Sequence, residues 1–390
     1  MRFYIPRIIL TLILFSCESK NDEKVKTEIT QASKEKSFEK LDSIQINYLG
    51  SPTVHDLNPV SKIVLFMENT ESFQEIYLAD FEGNLVNSFS KFGDMPDSYG
   101  KLLSTLRIYD DNTFLAYGFN GFLTYDFSGN LRSRVKLKKL KMLPFFSRKA
   151  MGYGMEKSGT RYIYTNQELP ESISQSDTRF YEEMYLMIWL DPDSGDGEPF
   201  IKFPKSSLFR NGKHFYNGAW EPVFTIDDDE MYVVFGAEPV IYIFSLNKPY
   251  SLITSMPIDL KDYRYFEGSD NNAIDFSLMF ISGRVLNIKK LDGYFIIAYF
   301  PGYSSEDKEA ESENKSHEEN LIFRERMLKK YAQRIAILDA NGNTVSDFVP
   351  EGLVPSSMLV RNGELWMLEK PNEEVEQDYF RLFRVGLKTK

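Results

Sequence analysis

Three stretches of this 390-residue chain bring aromatic rings and cationic donors together. LPFFSRKAMGYG (143–154) carries Phe145, Phe146, Arg148, Lys149 and Tyr153. FRNGKHFYNGAW (209–220) carries Arg210, Lys213, His214, Tyr216 and Trp220, and KDYRYFEG (261–268) carries Tyr263, Arg264, Tyr265 and Phe266. Ring faces flanked by donors suit sugar rings or extended peptides, and a guanidinium suits a carboxylate. The same rings could instead pack the loops onto a scaffold. As a group, Tyr153, Arg210, His214, Tyr216, Trp220, Tyr263, Arg264 and Tyr265 are the candidate ligand-binding residues.

Other chemistry is weakly signalled. His55, His214 and His317 lie far apart with no metal-ligand spacing. DPDSGDGEPF (191–200) hints at a calcium loop, but Gly195 stands where a third oxygen ligand belongs and Lys202 where a bidentate Glu belongs, so it reads as a turn. There is no G-x-S-x-G elbow, P-loop, H-E-x-x-H or S-x-D-x-G-x-x-W box, and neither a catalytic residue nor a metal or other cofactor is assigned. Carboxylates are plentiful, so a glycosidase pair drawn from separate parts of the chain stays open. The formal net charge of -11 argues against broad attraction to nucleic acid or anionic lipid. LRSRVKLKKLKM (131–142) seems basic, yet its charges alternate with Leu131, Ser133, Val135 and Leu137, as in an outer strand guarded against edge pairing.

The elements that must position these loops announce themselves by repetition. IYLADFEGNLVNSF (76–89) has a near copy in FLTYDFSGNLRSRV (122–135), and RIAILDANGNTVSDF (334–348) is a third. Each reads as strand, Gly-Asn turn, strand, a hairpin signal. LMIWLDPDSGDGEPF (186–200), VIYIFSLNKPYSLIT (240–254) and YFRLFRVGL (379–387) are degenerate copies. The strand-end positions Asp80, Asp126, Asp191, Ser245, Asp339 and Val385 recur no closer than 46 residues, about one four-stranded propeller blade. Before each hairpin comes another pair of strands: 105–119, 222–236, 285–300 and 357–370 are clear, 53–67 and 150–165 weaker.

An all-β, six-bladed β-propeller of four-stranded blades follows. The last unit runs out of chain after its third strand, and a spare alternating segment, DSIQINYLG (42–50), precedes the first. Pairing the two chain ends would close the ring and leave no end blade exposed. Two β-sandwiches would have no reason to repeat one hairpin throughout. Residues 42–390 are therefore one domain, expected as a monomer.

The N-terminus supplies the address. MRFYIPRIILTLILFSC has a basic start at Arg2 and Arg7 and an apolar run from Ile8 to Phe15 too short to span a bilayer. Its end resembles the lipobox of bacterial lipoproteins, which implies a signal peptide over 1–16 and lipidation of Cys17. Cys17 is the one cysteine, so no intrachain disulfide forms. Residues 17–41 are polar and expected as a flexible tether. Glu18–Glu23 resembles the acidic stretch that sends some lipoproteins to the cell surface. Removing residues 1–16, with Arg2 and Arg7, takes the net charge from -11 to -13.

Together the lipobox, the D-x-x-G-N-L hairpins and KFGDMPDSYG (91–100) resemble six-bladed β-propeller lipoproteins of Gram-negative gut and environmental bacteria, a family of unknown function. In the last stretch Gly93, Pro96 and Tyr99 match that family's G-x-G-P-G-E-aromatic loop, while Met95, Asp97 and Ser98 depart from it. The resemblance implies an outer-membrane lipid anchor, on the periplasmic or the cell-surface face, and no catalytic residue.

With the four strands of each blade lettered A to D from the axis outward, the A–B and C–D turns of a propeller share one face and the B–C and D–A connections the other. Here the first set is tight and the second long, so the long-connection face should bind. The charged insertion 303–333 is expected as a mobile loop to residue 320, then a short helix with Leu321, Leu328 and Tyr331 at roughly helical spacing. The functional expectation is a binding or scaffolding module for a peptide, glycan or partner protein. The alternative is a glycan-active hydrolase or lyase with carboxylates in the central funnel.

Overall fold

The computed structural model describes residues 35–68, 74–136, 150–166, 173–174, 177–312, 315–372, 375 and 377–389. The signal segment, Cys17, the start of the tether, Phe145, Phe146, Arg148 and Lys149 lie outside the described residues.

Six four-stranded antiparallel sheets form the blades of a β-propeller. Their innermost strands are Pro52–Asn58, Arg107–Ile108, Glu156–Ser158, Pro222–Asp227, Arg284–Leu291 and Leu359–Arg361, in blades 1 to 6. The chain ends close the ring as the sequence predicts. Lys36–Asn47 pairs antiparallel with Tyr379–Thr389 as the outer strand of blade 6. This strand begins at Lys36 and so takes in the last six residues of the stretch that composition assigns to the tether, because Phe38 packs edge-on against Phe348 and the Lys36 amide donates to Ser346 Oγ.

The repeated hairpin signature is a side-chain clamp. Asp80 and Asp126 end a third strand and Asp339 directly follows one; each accepts through Oδ1 from the backbone amide four residues on, at Asn84 (2.8 Å), Asn130 (2.8 Å) and Asn343 (2.9 Å). The Asn side chain donates back to the same carboxylate, and the intervening glycine takes positive φ. Asp therefore sets the turn and Asn locks it. Asp191, in the degenerate copy, receives the Asp193 amide at 2.8 Å and keeps only part of the clamp.

Middle strands are buried on both faces, which is why they read as continuous apolar runs. In Tyr294–Phe300, Phe295, Ile297 and Tyr299 pack towards blade 4 while Ile296 and Ala298 pack towards blade 6. Such alternation gives six cores, one between each pair of neighbouring blades. The core between blades 6 and 1 draws Ile44 and Ile46 from the N-terminal strand, Trp366 and Leu382 from the last blade and Phe66 from the first.

The insertion after blade 5's second strand departs from expectation. Its charged first half is a helix, Ser305–Ser312, and the second helix runs His317–Lys330 behind a Ser316–Glu319 capping box. Leu321 and Leu328 are exposed; the seated face is Phe323, Met327 and Tyr331, spaced every four residues and packed on Phe300 and Tyr303. Asp307 binds Lys330 at 2.6 Å and Tyr331, tying the two helices together. No helix among the described residues is long and apolar enough to cross a membrane.

Candidate functional site

The propeller axis is crossed by the chain itself. Between blades 2 and 3, the Met151 amide donates to the Val54 carbonyl of blade 1 at 2.6 Å. Gly152 lies against Asn287 of blade 5 and the Ser356 and Met358 carbonyls of blade 6, and a Cβ there would sit 2.6 Å from the Met358 oxygen. The Tyr153 carbonyl accepts from Thr105 Oγ1 (2.8 Å) and Arg107 Nη2, and the Met155 carbonyl from Arg107 Nε (2.7 Å), both residues in or beside blade 2. Gly154 lies so close to Thr105 Oγ1 that any Cβ would overlap it. Blades 1 and 2 thus bond this segment by its backbone while blades 5 and 6 close in on Gly152, and two glycines with positive φ make the approach possible.

Beside this plug the innermost strands place a charged hub. Arg361 of blade 6 donates from Nε to Asp56 Oδ1 of blade 1 at 2.8 Å and from Nη1 to Glu156 Oε2 of blade 3 at 3.1 Å. Arg107 stands 3.8 Å from Glu156 Oε1. Lys289 of blade 5 is buried, with Nζ 3.5 Å from the Gly152 carbonyl. Burial by itself would lift the Glu156 carboxyl, but Arg361, Arg107 and Lys289 outweigh it and hold it below the usual range. Burial lowers the Lys289 ammonium to about 8, Glu156 opposing and the two arginines adding. For Arg361, burial disfavours the charge and Asp56 with Glu156 more than restores it.

Two cavities flank the hub and share Glu156 as a wall residue. The first, of about 340 Å³, opens on the long-connection face. Its walls include Tyr153, Tyr164, Trp220, Phe224, Met279 and Phe280, with Ser104, Asn166, Glu221 and Arg284 as polar groups. The second, of about 790 Å³, opens among the A–B turns and is bordered by Lys289, Lys290, Asp227, Asp228 and Asp292.

Against known proteins, no protein-family model and no curated protein matches the chain. Among solved structures it is similar to a member of the DUF4221 family from Bacteroides vulgatus, with a TM-score of 0.68 at 10% identity over 92% of this chain and 100% of that one. A protein of unknown function from Bacteroides caccae aligns at a TM-score of 0.40 and 10% identity, over 79% of this chain and 94% of that one. A calcium-binding regucalcin from Agrobacterium tumefaciens aligns at 0.38 and 10%, over 90% and 94%. At 10% identity, the 0.68 match shows a shared fold and nothing finer.

The candidate residues divide within that fold. Tyr153 and Trp220 line the long-connection cavity. Tyr216 is buried in an aromatic knot with Phe180, Tyr181, Phe209 and Phe215 over blades 3 and 4. Arg210 caps that knot, donating to the Phe203 carbonyl (3.3 Å) and facing Glu182 (3.5 Å). His214 pairs its backbone with Ser269, which joins the second aromatic loop to the third. Tyr263 packs on the core between blades 4 and 5 and donates to the Ala237 carbonyl at 2.9 Å, with the Tyr265 ring tilted beside it, centroids 5.5 Å apart. Arg264 is exposed, and its Nη1 donates to the Asp262 carbonyl.

The hub residues lie outside the aromatic loops. Their signal is a polar side chain inside an otherwise apolar innermost strand: Asp56 in VHDL, Arg107 in LRIY, Asn287 and Lys289 in VLNIKKL. Asn287 shows what such a residue does, its Nδ2 donating to the Ser356 and Met358 carbonyls at 2.9 and 2.8 Å.

Proposed function

We propose that this chain is a lipid-anchored binding module of the cell envelope, held by Cys17 and taking a glycan or peptide end into the long-connection cavity. The observation that carries the reading is that cavity itself, closed below by the glycine plug and walled by Trp220, Tyr164, Phe224 and Phe280 around a few polar groups. Rings supply flat apolar contact, and Arg284 and Asn166 supply directional bonds. Phe280 and Phe276 stand exposed at its edge, ring centroids 5.5 Å apart, enlarging the apolar mouth. The lipid anchor rests on the lipobox-like LFSC sequence.

A glycan-active enzyme has one observation in its favour, two carboxylates on the same cavity wall, Glu156 and Glu221. Glu156, however, is held ionised by Arg361 and Arg107, which removes it as a proton donor.

The test is a glycan and peptide array on the purified protein, followed by titration of any hit against Phe280→Ala and Glu221→Gln. Saturable binding weakened by Phe280→Ala with the ligand recovered intact supports the module. Cleavage of the ligand abolished by Glu221→Gln would replace it with the enzyme. Fractionation of wild type against Cys17→Ala tests the anchor: both in the soluble fraction would remove it.

A further inference from the structure

The cavity at the A–B-turn end plays no part in the reading above. Lys289 forms part of its wall and is 3% exposed. An ammonium has three N–H donors, and this one has a single long contact, 3.5 Å to the Gly152 carbonyl. The hub's anions are spent elsewhere. Asp56 gives one oxygen to Arg361 and the Leu57 amide and the other to the Ile108 amide, and Glu156 lies between Arg361 and Arg107. Arg107, Arg361 and Lys289 against Asp56 and Glu156 leave one buried positive charge unmatched, and a buried charge needs a partner far more than one in water.

The rim has the opposite sign. The tight turns of blades 4 and 5 put Asp228 and Asp292, both exposed, beside the same cavity. Asp227 is taken by Lys290 at 2.7 Å, and Lys157 lies over the Tyr109 ring at 4.5 Å. A simple anion reaching Lys289 would pass two carboxylates, and a simple cation held by them would face the ammonium.

We propose that this cavity binds a small zwitterion of the free amino acid or betaine class, its carboxylate on the Lys289 ammonium and its cationic end between Asp228 and Asp292. A ligand with both charges completes the hub's electroneutrality and satisfies the rim together. The site lies at the opposite end of the axis from the aromatic cavity, so its failure leaves the reading of that cavity untouched.

Calorimetric titration of the purified protein with glycine, γ-aminobutyrate and glycine betaine, against acetate and chloride, tests it. At least one zwitterion should bind saturably and at least tenfold tighter than acetate. Lys289→Met should weaken that binding tenfold or more at an unchanged circular dichroism spectrum. The double variant Asp228→Asn/Asp292→Asn, confined to exposed turns, should cut the preference over acetate at least threefold, and it decides the matter if Lys289→Met does not fold. Acetate or chloride binding as tightly as every zwitterion, no saturable zwitterion binding, or indifference to both sets of substitutions overturns the proposal.

Discussion

Arg361 and Asp56, 305 residues apart in sequence, meet at 2.8 Å where the last blade adjoins the first. The Asp56 side chain is 1% exposed and that of Arg361 20%, so this pair closes the ring largely shielded from bulk water. The same guanidinium continues to Glu156, joining blades 6, 1 and 3. Removing one partner of a buried pair strands the other charge, at a cost of about 3–5 kcal/mol. Arg361→Met is therefore expected to lose that much in urea unfolding. Arg361→Met with Asp56→Leu should lose less than the sum of the single losses. A single-variant loss below about 1 kcal/mol would show that solvent screens the hub after all.

Backbone pairing makes the second closure. Ile44 and Ile46 are buried in the core between blades 6 and 1, each contributing about 2–3 kcal/mol on transfer from water. A chain starting at residue 35 keeps this strand and should melt and elute as the full chain does. One starting at residue 48 exposes the edge of Tyr379–Thr389 and should melt far lower and aggregate, as scanning calorimetry and size-exclusion chromatography will record. Equal melting of the two would mean that the N-terminal strand is an ornament.

Two glycines separate conformational need from spatial need. Gly154 (φ +97°) has no room for a Cβ beside Thr105, whereas Gly159 (φ +59°), in the blade 3 turn, has no atom within 4 Å. Gly159→Ala should cost about 1 kcal/mol, the left-handed backbone penalty alone. Gly154→Ala must also move the plug against Thr105 and should cost about 2–4 kcal/mol in denaturant unfolding. Similar costs for both would mean that the plug gives way freely.

The blade count and the closure were legible because they rest on local chemistry. Asp80, Asp126 and Asp339 build their turns with neighbours four residues away, and alternation in 42–50 marks a strand in need of a partner. The aromatic loops were legible as loops, but which rings face a cavity depends on how three loops pack on one another. Trp220 and Tyr216 sit four residues apart in one motif, yet only Trp220 lines the cavity. The hub was illegible for a related reason. Asp56, Arg107, Glu156, Lys289 and Arg361 each come from a different blade, and their meeting follows from the ring's geometry rather than from any spacing along the chain.

Lys289 gives the hub a pH signature of definite sign. Its folded ammonium titrates at about 8, against an ordinary 10.5, because burial disfavours the charge. Between those values the unfolded chain holds a proton that the folded chain has released, so Lys289 makes stability rise with pH across the window. The whole span is worth on the order of 3 kcal/mol. The charged groups around it are Glu156, Arg361 and Arg107 in the hub and Asp227, Asp228, Asp292, Lys157 and Lys290 about the cavity, and of these Glu156 opposes the shift. Above pH 10 the buried tyrosines reverse the trend. Burial holds Tyr99, Tyr125 and Tyr162 above the ordinary range, so their unfolded forms ionise first and stability falls. Urea unfolding at intervals from pH 8 to 10 should show the stability of wild type, minus that of Lys289→Met, rising by about 1–3 kcal/mol. A flat difference would mean that Lys289 keeps its proton, and with it an ordinary pKa, inside the fold.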